Sequence, residues 1–176
     1  MKCSLLVLFL FYSIIASAQK NKLLLSFSKA NYAYEKQDYQ KAKKYYLKVL
    51  TVDSMYAKAY VQLTNIACEN QQFDGALTRI NKAISIEKAT ERNETELAYM
   101  YSIRSFCYFN LDKPEESLKD ISTAIALNSE NASYYFMRSL MKRMNGDIKG
   151  CCQDLKKSLE LGNSSASEYM SIYCLK

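Results

Sequence analysis

Among the 176 residues, the side chains equipped for chemistry are six cysteines, 18 Asp and Glu, and 15 tyrosines; there is no histidine. That absence excludes a Ser-His-Asp triad, a Cys-His nucleophile, a histidine-ligated zinc and an imidazole proton shuttle. The cysteines stand at Cys3, Cys68, Cys107, Cys151, Cys152 and Cys174. They form neither the C-x-x-C of a redox motif nor the paired spacing of an all-thiolate zinc site. Asp112, Glu115, Glu116 and Asp120 form an acidic run, but they fall where an exposed helix face is expected, and solvated carboxylates make poor general acids. With only four glycines in the chain there is also no Gly-rich phosphate loop. The expectation is a non-enzymatic protein with no catalytic residue, no metal and no cofactor.

What remains to be explained is where the chain works and what its helices present. Met1-Lys2 is a short positive start, Leu5 to Ile15 is almost unbroken apolar sequence, and Ala16-Ser17-Ala18 is a small-x-small signal-peptidase pattern. Residues 1–18 therefore read as a signal peptide cleaved before Gln19. The apolar run is shorter than the roughly 20 residues that span a bilayer, and Cys3 precedes it, which excludes a lipoprotein signal. The expected address is export to the periplasm or extracellular space, a bacterial envelope being favoured, with no stable membrane insertion after cleavage. The net charge of +6 is modest. Its densest basic stretch, Lys41, Lys43, Lys44 and Lys48 beside Tyr39 and Tyr45, reads as a solvated helix face, so no nucleic-acid partner is expected.

The elements come from self-similarity. Asp38-Tyr39-Gln40-Lys41-Ala42, Gln72-Phe73-Asp74-Gly75-Ala76, Lys113-Pro114-Glu115-Glu116-Ser117 and Gly146-Asp147-Ile148-Lys149-Gly150-Cys151 share one pattern. Each ends on a small residue, followed four residues on by Tyr46, Ile80, Ile121 or Leu155, and three beyond that by Val49, Ala83, Ala124 or Ser158. Spacings of three and four are helical. Ala42 to Ala76 is 34 residues, Ser117 to Cys151 is again 34, and Ala76 to Ser117 is 41. Upstream, Tyr60 with Thr64, Tyr101 with Ser105, and Tyr135 with Ser139 each set a ring four residues before a small side chain, as two closely packed antiparallel helices require.

This pattern resembles the tetratricopeptide repeat family, a helix-turn-helix unit of 34 residues. The resemblance spans about residues 23 to 163. It departs where the usual closing proline is Ser54, Lys88, Ser129 or Asn163, and where Ser26 replaces the leading ring of the first unit. It implies an all-α, right-handed superhelical α-solenoid spanning residues 19–163, with four repeats at about 23–56, 57–90, 98–131 and 132–163. Residues 164–176 would form a C-terminal capping helix that covers the open apolar face of the last unit. The extra residues between units two and three, Glu87 to Glu96, are polar apart from Ala89 and make either an exposed loop or added helical turns.

The resemblance also implies a concave groove lined by the first helix of each unit. Carried over position by position, its lining includes Phe27, Asn31, Tyr34, Asn65, Tyr99, Phe106, Phe109, Phe136 and Leu140. Rings and amides on one face suit an amphipathic or aromatic-bearing peptide. Family members that grip chaperone C-terminal carboxylates use two Lys, an Arg and two Asn; here Phe27, Asn31, Gln62, Tyr99 and Ile103 stand at those places, which excludes that clamp. The implied function is a protein–protein interaction scaffold binding a peptide or protein in the groove. The alternative is a structural subunit or assembly factor of an envelope complex, using Lys41, Tyr45 and Lys48 on the convex face. In an exported chain the candidate disulfide joins Cys174 to Cys151 or Cys152. Cys152 is preferred because Cys151 holds the small buried position of its repeat; the other possibility is that all five mature thiols stay free.

Overall fold

The computed structural model describes residues 2–90 and 93–174, with side chains from Ser13 onward. Among the described residues there are nine helices, α1 (Lys2–Glu35), α2 (Tyr39–Val52), α3 (Ala57–Glu69), α4 (Phe73–Ala89), α5 (Glu94–Asn110), α6 (Pro114–Leu127), α7 (Ala132–Met144), α8 (Ile148–Glu160) and α9 (Ser165–Tyr173). Each packs chiefly on its neighbours in sequence, with α1 against α2, α3 against α4, α5 against α6 and α7 against α8 as the tight hairpins. The result is an all-α solenoid. Among the described residues no helix is long and apolar enough to cross a membrane.

The turn inside each hairpin is the same device used four times. Gln37, Gln71, Asp112 and Gly146 have φ of 58°, 57°, 55° and 80° and stand five residues before Ala42, Ala76, Ser117 and Cys151. Around each, paired backbone bonds close the preceding helix, such as Gln71 N–H to Cys68 C=O at 2.9 Å and Gln72 N–H to Ala67 C=O at 2.8 Å. This is the Schellman arrangement, which satisfies carbonyls that a helix end otherwise leaves unpaired. Asp38 and Asp147 then cap the next helix by accepting from the amides of Lys41 and Gly150. The extra residues between units two and three are mostly helix: α4 runs on to Ala89 and α5 starts at Glu94, and both exceed the 13 or 14 residues of α2, α3 and α6–α8.

The repeated small residues are the closest-packed points. Ala42, Ala76 and Ser117 have no exposed surface and Cys151 almost none, and Tyr46, Ile80, Ile121 and Leu155 beyond them are fully buried. At Ser117 the contact is polar as well as close: Ser117 Oγ donates to Ser105 C=O at 3.0 Å, and Ser105 Oγ donates to Ser117 C=O at 2.8 Å. Two buried hydroxyls can stay in an apolar core because each is satisfied by the partner helix. The C-terminal α9 buries Ala166 against Cys151 and Leu155, with Phe136 and Tyr169 half-buried around them.

One expectation is corrected here. Asp120 is not on a solvent face; it is 4% exposed and receives a two-pronged bond from Arg104, Nε–Oδ2 2.6 Å and Nη2–Oδ1 2.8 Å. Asp154 repeats the arrangement with Arg138, at 2.8 and 2.7 Å, and adds Lys142 at 2.9 Å. The acid lies at the i+3 position from the repeat's small residue, one helical turn on, and therefore faces the partner helix instead of water. Asp112, Glu115 and Glu116 are exposed, as expected.

Candidate functional site

The first helices α3 and α5 touch directly along one side of the solenoid, and beside them lies a cleft of about 330 Å³. Tyr34 of α1, Asn65, Cys68 and Glu69 of α3, Tyr99, Ser102, Ile103 and Phe106 of α5, and Met137 of α7 line it. A second hollow of about 420 Å³ continues from it through Cys68, Glu69 and Phe106 to Phe73 and Asn110. The rings are presented, not sequestered: Tyr99 is 42% and Phe106 41% exposed, each on a rigid helix. Asn65 donates to the Tyr99 hydroxyl at 3.3 Å and to Gln62 Oε1 at 3.4 Å, both long bonds that hold the amide loosely at the cleft wall. Burial and the nearby Glu69 carboxylate push the Tyr34 phenol above its ordinary pKa, which keeps it neutral and able to donate. Outside the cleft lining, Lys58 of α3 and Glu96 of α5 pair at 3.2 Å in an exposed setting; the bond to Glu96 raises the Lys58 pKa.

The structure gathers Tyr34, Asn65, Tyr99 and Phe106 out of the nine residues that the repeat pattern places on the groove. Others are engaged inside the protein. Phe27 packs edge-on against Tyr46 and Tyr56, at 5.7 and 5.2 Å between ring centres. Asn31 accepts a 2.7 Å bond from the Tyr46 hydroxyl, so its carbonyl oxygen serves the core. Phe109 is half-buried against the central core. Phe136 stacks edge-on with Tyr169 of α9 at 5.0 Å, so α9 covers that ring. Leu140 is half-buried. Ile103 and Met137 were legible as apolar helix positions, yet only the packing of α3, α5 and α7 brings them to one cleft.

The cysteines divide by location. Cys152 of α8 and Cys174, just beyond α9, are joined as a disulfide. Cys151 is buried and free, and burial raises its thiol pKa. Cys68 and Cys107 are free thiols with their sulfurs 3.5 Å apart. Nothing in the spacing of the sequence, 39 residues, announces that proximity.

No family model matches the chain. It is 30% identical to heat shock protein STI1 of Saccharomyces cerevisiae over 117 residues, 65% of this chain and 19% of that protein. The chain thus corresponds to about a fifth of that relative's length. Among solved structures, the first tetratricopeptide-repeat domain of Spaghetti (RPAP3), bound to the HSP90 peptide SRMEEVD, superposes with a TM-score of 0.59 at 20% identity, covering 69% of this chain and 92% of that one. The chain folds as a tetratricopeptide-repeat array. The MamA protein matches it over a greater length, with a TM-score of 0.72 at 18% identity over 88% of this chain and 81% of that one.

Proposed function

We propose that the array is a protein-interaction scaffold that holds a peptide segment of a partner in the cleft between α1, α3, α5 and α7. The observation that carries this is the pair of exposed rings, Tyr99 and Phe106, standing with Asn65 and Tyr34 around one cleft on rigid helices. Aromatic anchors lose little conformational entropy when they bind and supply most of the contact energy in such sites. The lining also says what the segment should be. At four of the five places of the chaperone-tail clamp, three of them cation places, this chain has Phe27, Gln62, Tyr99 and Ile103, with Ile103 buried, and Lys58 of α3 is already paired with Glu96. A carboxylate-rich tail gains little here, and an apolar or aromatic side chain fills the space better.

Export through residues 1–18 belongs to the same proposal. Residues 13 to 22 of α1 are exposed throughout, including Ile14 at 64% and Ile15 at 56%, and from Ser13 onward the first buried side chain is Leu23. Residues 13–18 add no burial, so removing them takes nothing from the packed core. A second reading has its own observation: on α2, Leu47 is 47% exposed among the exposed Lys41, Lys44 and Lys48, with Tyr45 half-buried beside them. That face suits a structural subunit that docks by its outer side.

Affinity capture from the cell envelope distinguishes these readings, comparing the wild-type chain with a Tyr34→Ala, Phe106→Ala variant. The expected result is a partner present with the wild type and lost with the variant, and a bait whose intact mass begins at Gln19. A partner retained by the variant moves binding to the α2 face. A bait that keeps residues 1–18 refutes the export reading.

A further inference from the structure

Cys68 sits near the C-terminal end of α3 and Cys107 near that of α5, and their sulfurs face each other across the contact between the two helices at 3.5 Å. Their surroundings differ. Cys68 lines both the main cleft and its continuation and is half-buried, whereas Cys107 has no exposed surface at all. One thiol is therefore reachable from solution, and the other is reachable only from the first. Among the described residues the remaining free thiol, Cys151, is buried beside the C-terminal cap, and Cys152 is already bonded to Cys174.

We propose that Cys68 and Cys107 are a reversible dithiol pair, oxidised to a second intramolecular disulfide by low-molecular-weight disulfides. Closing 3.5 Å to the roughly 2.05 Å of a disulfide takes small side-chain rotations and a shift of order 1.5 Å between helices already in contact. The exchange runs in two displacements. The Cys68 thiolate attacks one sulfur of the oxidant; that S–S bond breaks, and the departing half leaves as a thiolate that takes a proton. Cys107 then gives up its proton, attacks the Cys68 sulfur of the mixed disulfide, and expels the second half as a thiol. Two cysteine thiols are oxidised, one disulfide is reduced to two thiols, and the chain loses two hydrogens. The bond shared by the two sulfurs favours this order: it lowers the Cys68 pKa, while the same bond and burial raise that of Cys107.

The consequence is mechanical. Oxidation ties the end of α3 to the end of α5 and removes a thiol from the wall where the two hollows meet. The chemistry stands whether or not the cleft binds a partner and wherever the chain is located. It also leaves Cys151 as the single unpaired thiol of residues 19–176, in the small packing position where a compact apolar side chain is needed.

The test equilibrates the full chain with oxidised and reduced glutathione at a series of ratios, then quenches with an alkylating agent and maps peptides without reduction. The expected result is a cross-link between the peptides carrying Cys68 and Cys107 that forms and disappears with the ratio, and a loss of about 2 Da from the folded chain. In Cys68→Ser, which changes a half-buried thiol and should still fold, the cross-link and the mass step vanish while Cys152–Cys174 persists. Cys68 that remains fully alkylated in oxidised buffer, glutathione that stays attached to Cys68, or a cross-link from either residue to Cys151 would each overturn the proposal.

Discussion

At the residue scale the turns carry the most transferable lesson. Every hairpin needs one residue at positive φ, and only the fourth meets that need with glycine; Gln37 and Gln71 adopt φ near 58° with full side chains. An L-residue in that region loses about 1–2 kcal/mol to the clash of its Cβ, and glycine recovers part of it after its own entropy is counted. Gln71→Gly is accordingly expected to stabilise the array by about 0.5–1 kcal/mol. A urea midpoint that fell instead would mean the Gln71 side chain contributes something its exposed position does not suggest. The same scale shows the limit of pattern reading. Asp120 and Glu116 are both acids on α6, yet one is sealed under Arg104 and the other is in water. They stand four residues apart on nearly the same side of α6, and only the reach of Arg104 from α5 tells them apart.

At the scale of elements, the arginine–aspartate pairs clamp the later hairpins. Arg104 to Asp120 joins α5 to α6, and Arg138 to Asp154 joins α7 to α8, each 16 residues apart and each bidentate. Both arginines have their pKa raised by that bond. The equivalent places in the first two units are Lys29 with Tyr45 and Leu63 with Arg79, so the first two hairpins rely on apolar packing. Removing one member leaves buried charge without its partner, which is more damaging than the pair is worth intact. Asp154→Ala strands both Arg138 and Lys142 and is expected to cost about 2–4 kcal/mol. Glu115→Ala on the exposed face of α6 should stay within about 0.5 kcal/mol. Urea unfolding of the two variants compares them directly; equal losses would show that the clamp carries no more weight than a surface charge.

Across the whole molecule, buried and half-buried tyrosines set an alkaline limit. Tyr46, Tyr34 and Tyr134 all have their pKa raised, with burial the largest cause in each. A group whose folded pKa is raised adds stability that is fully present below its unfolded pKa and is lost as the pH climbs toward the folded one. For a phenol the unfolded value is about 10. The urea midpoint should therefore hold level from about pH 7 to 9 and fall above about pH 10. Tyr46→Phe should flatten part of that fall while losing about 1 kcal/mol of hydrogen bonding to Asn31 at neutral pH. A midpoint that stayed level to about pH 11 would contradict the assignment of the Tyr46 and Tyr134 phenols to the core.

The sequence by itself determined the repeat. Helical spacing, the 34-residue period and the small–large positions depend on contacts within one hairpin, and local order is enough to write them. Its resemblance to the tetratricopeptide repeat also marked the rings that a groove could use, because the register of the repeat is local too. The distribution of those rings between cleft and core was decided by the tertiary structure. Phe27 and Asn31 turn to Tyr46, Phe136 is covered by α9, and Tyr99 and Phe106 are left to solvent. The approach of Cys68 to Cys107 was decided in the same way, since a contact between units depends on how one hairpin is rotated against the next. That rotation is set by the summed packing of many side chains across each interface, and no single spacing along the chain records it.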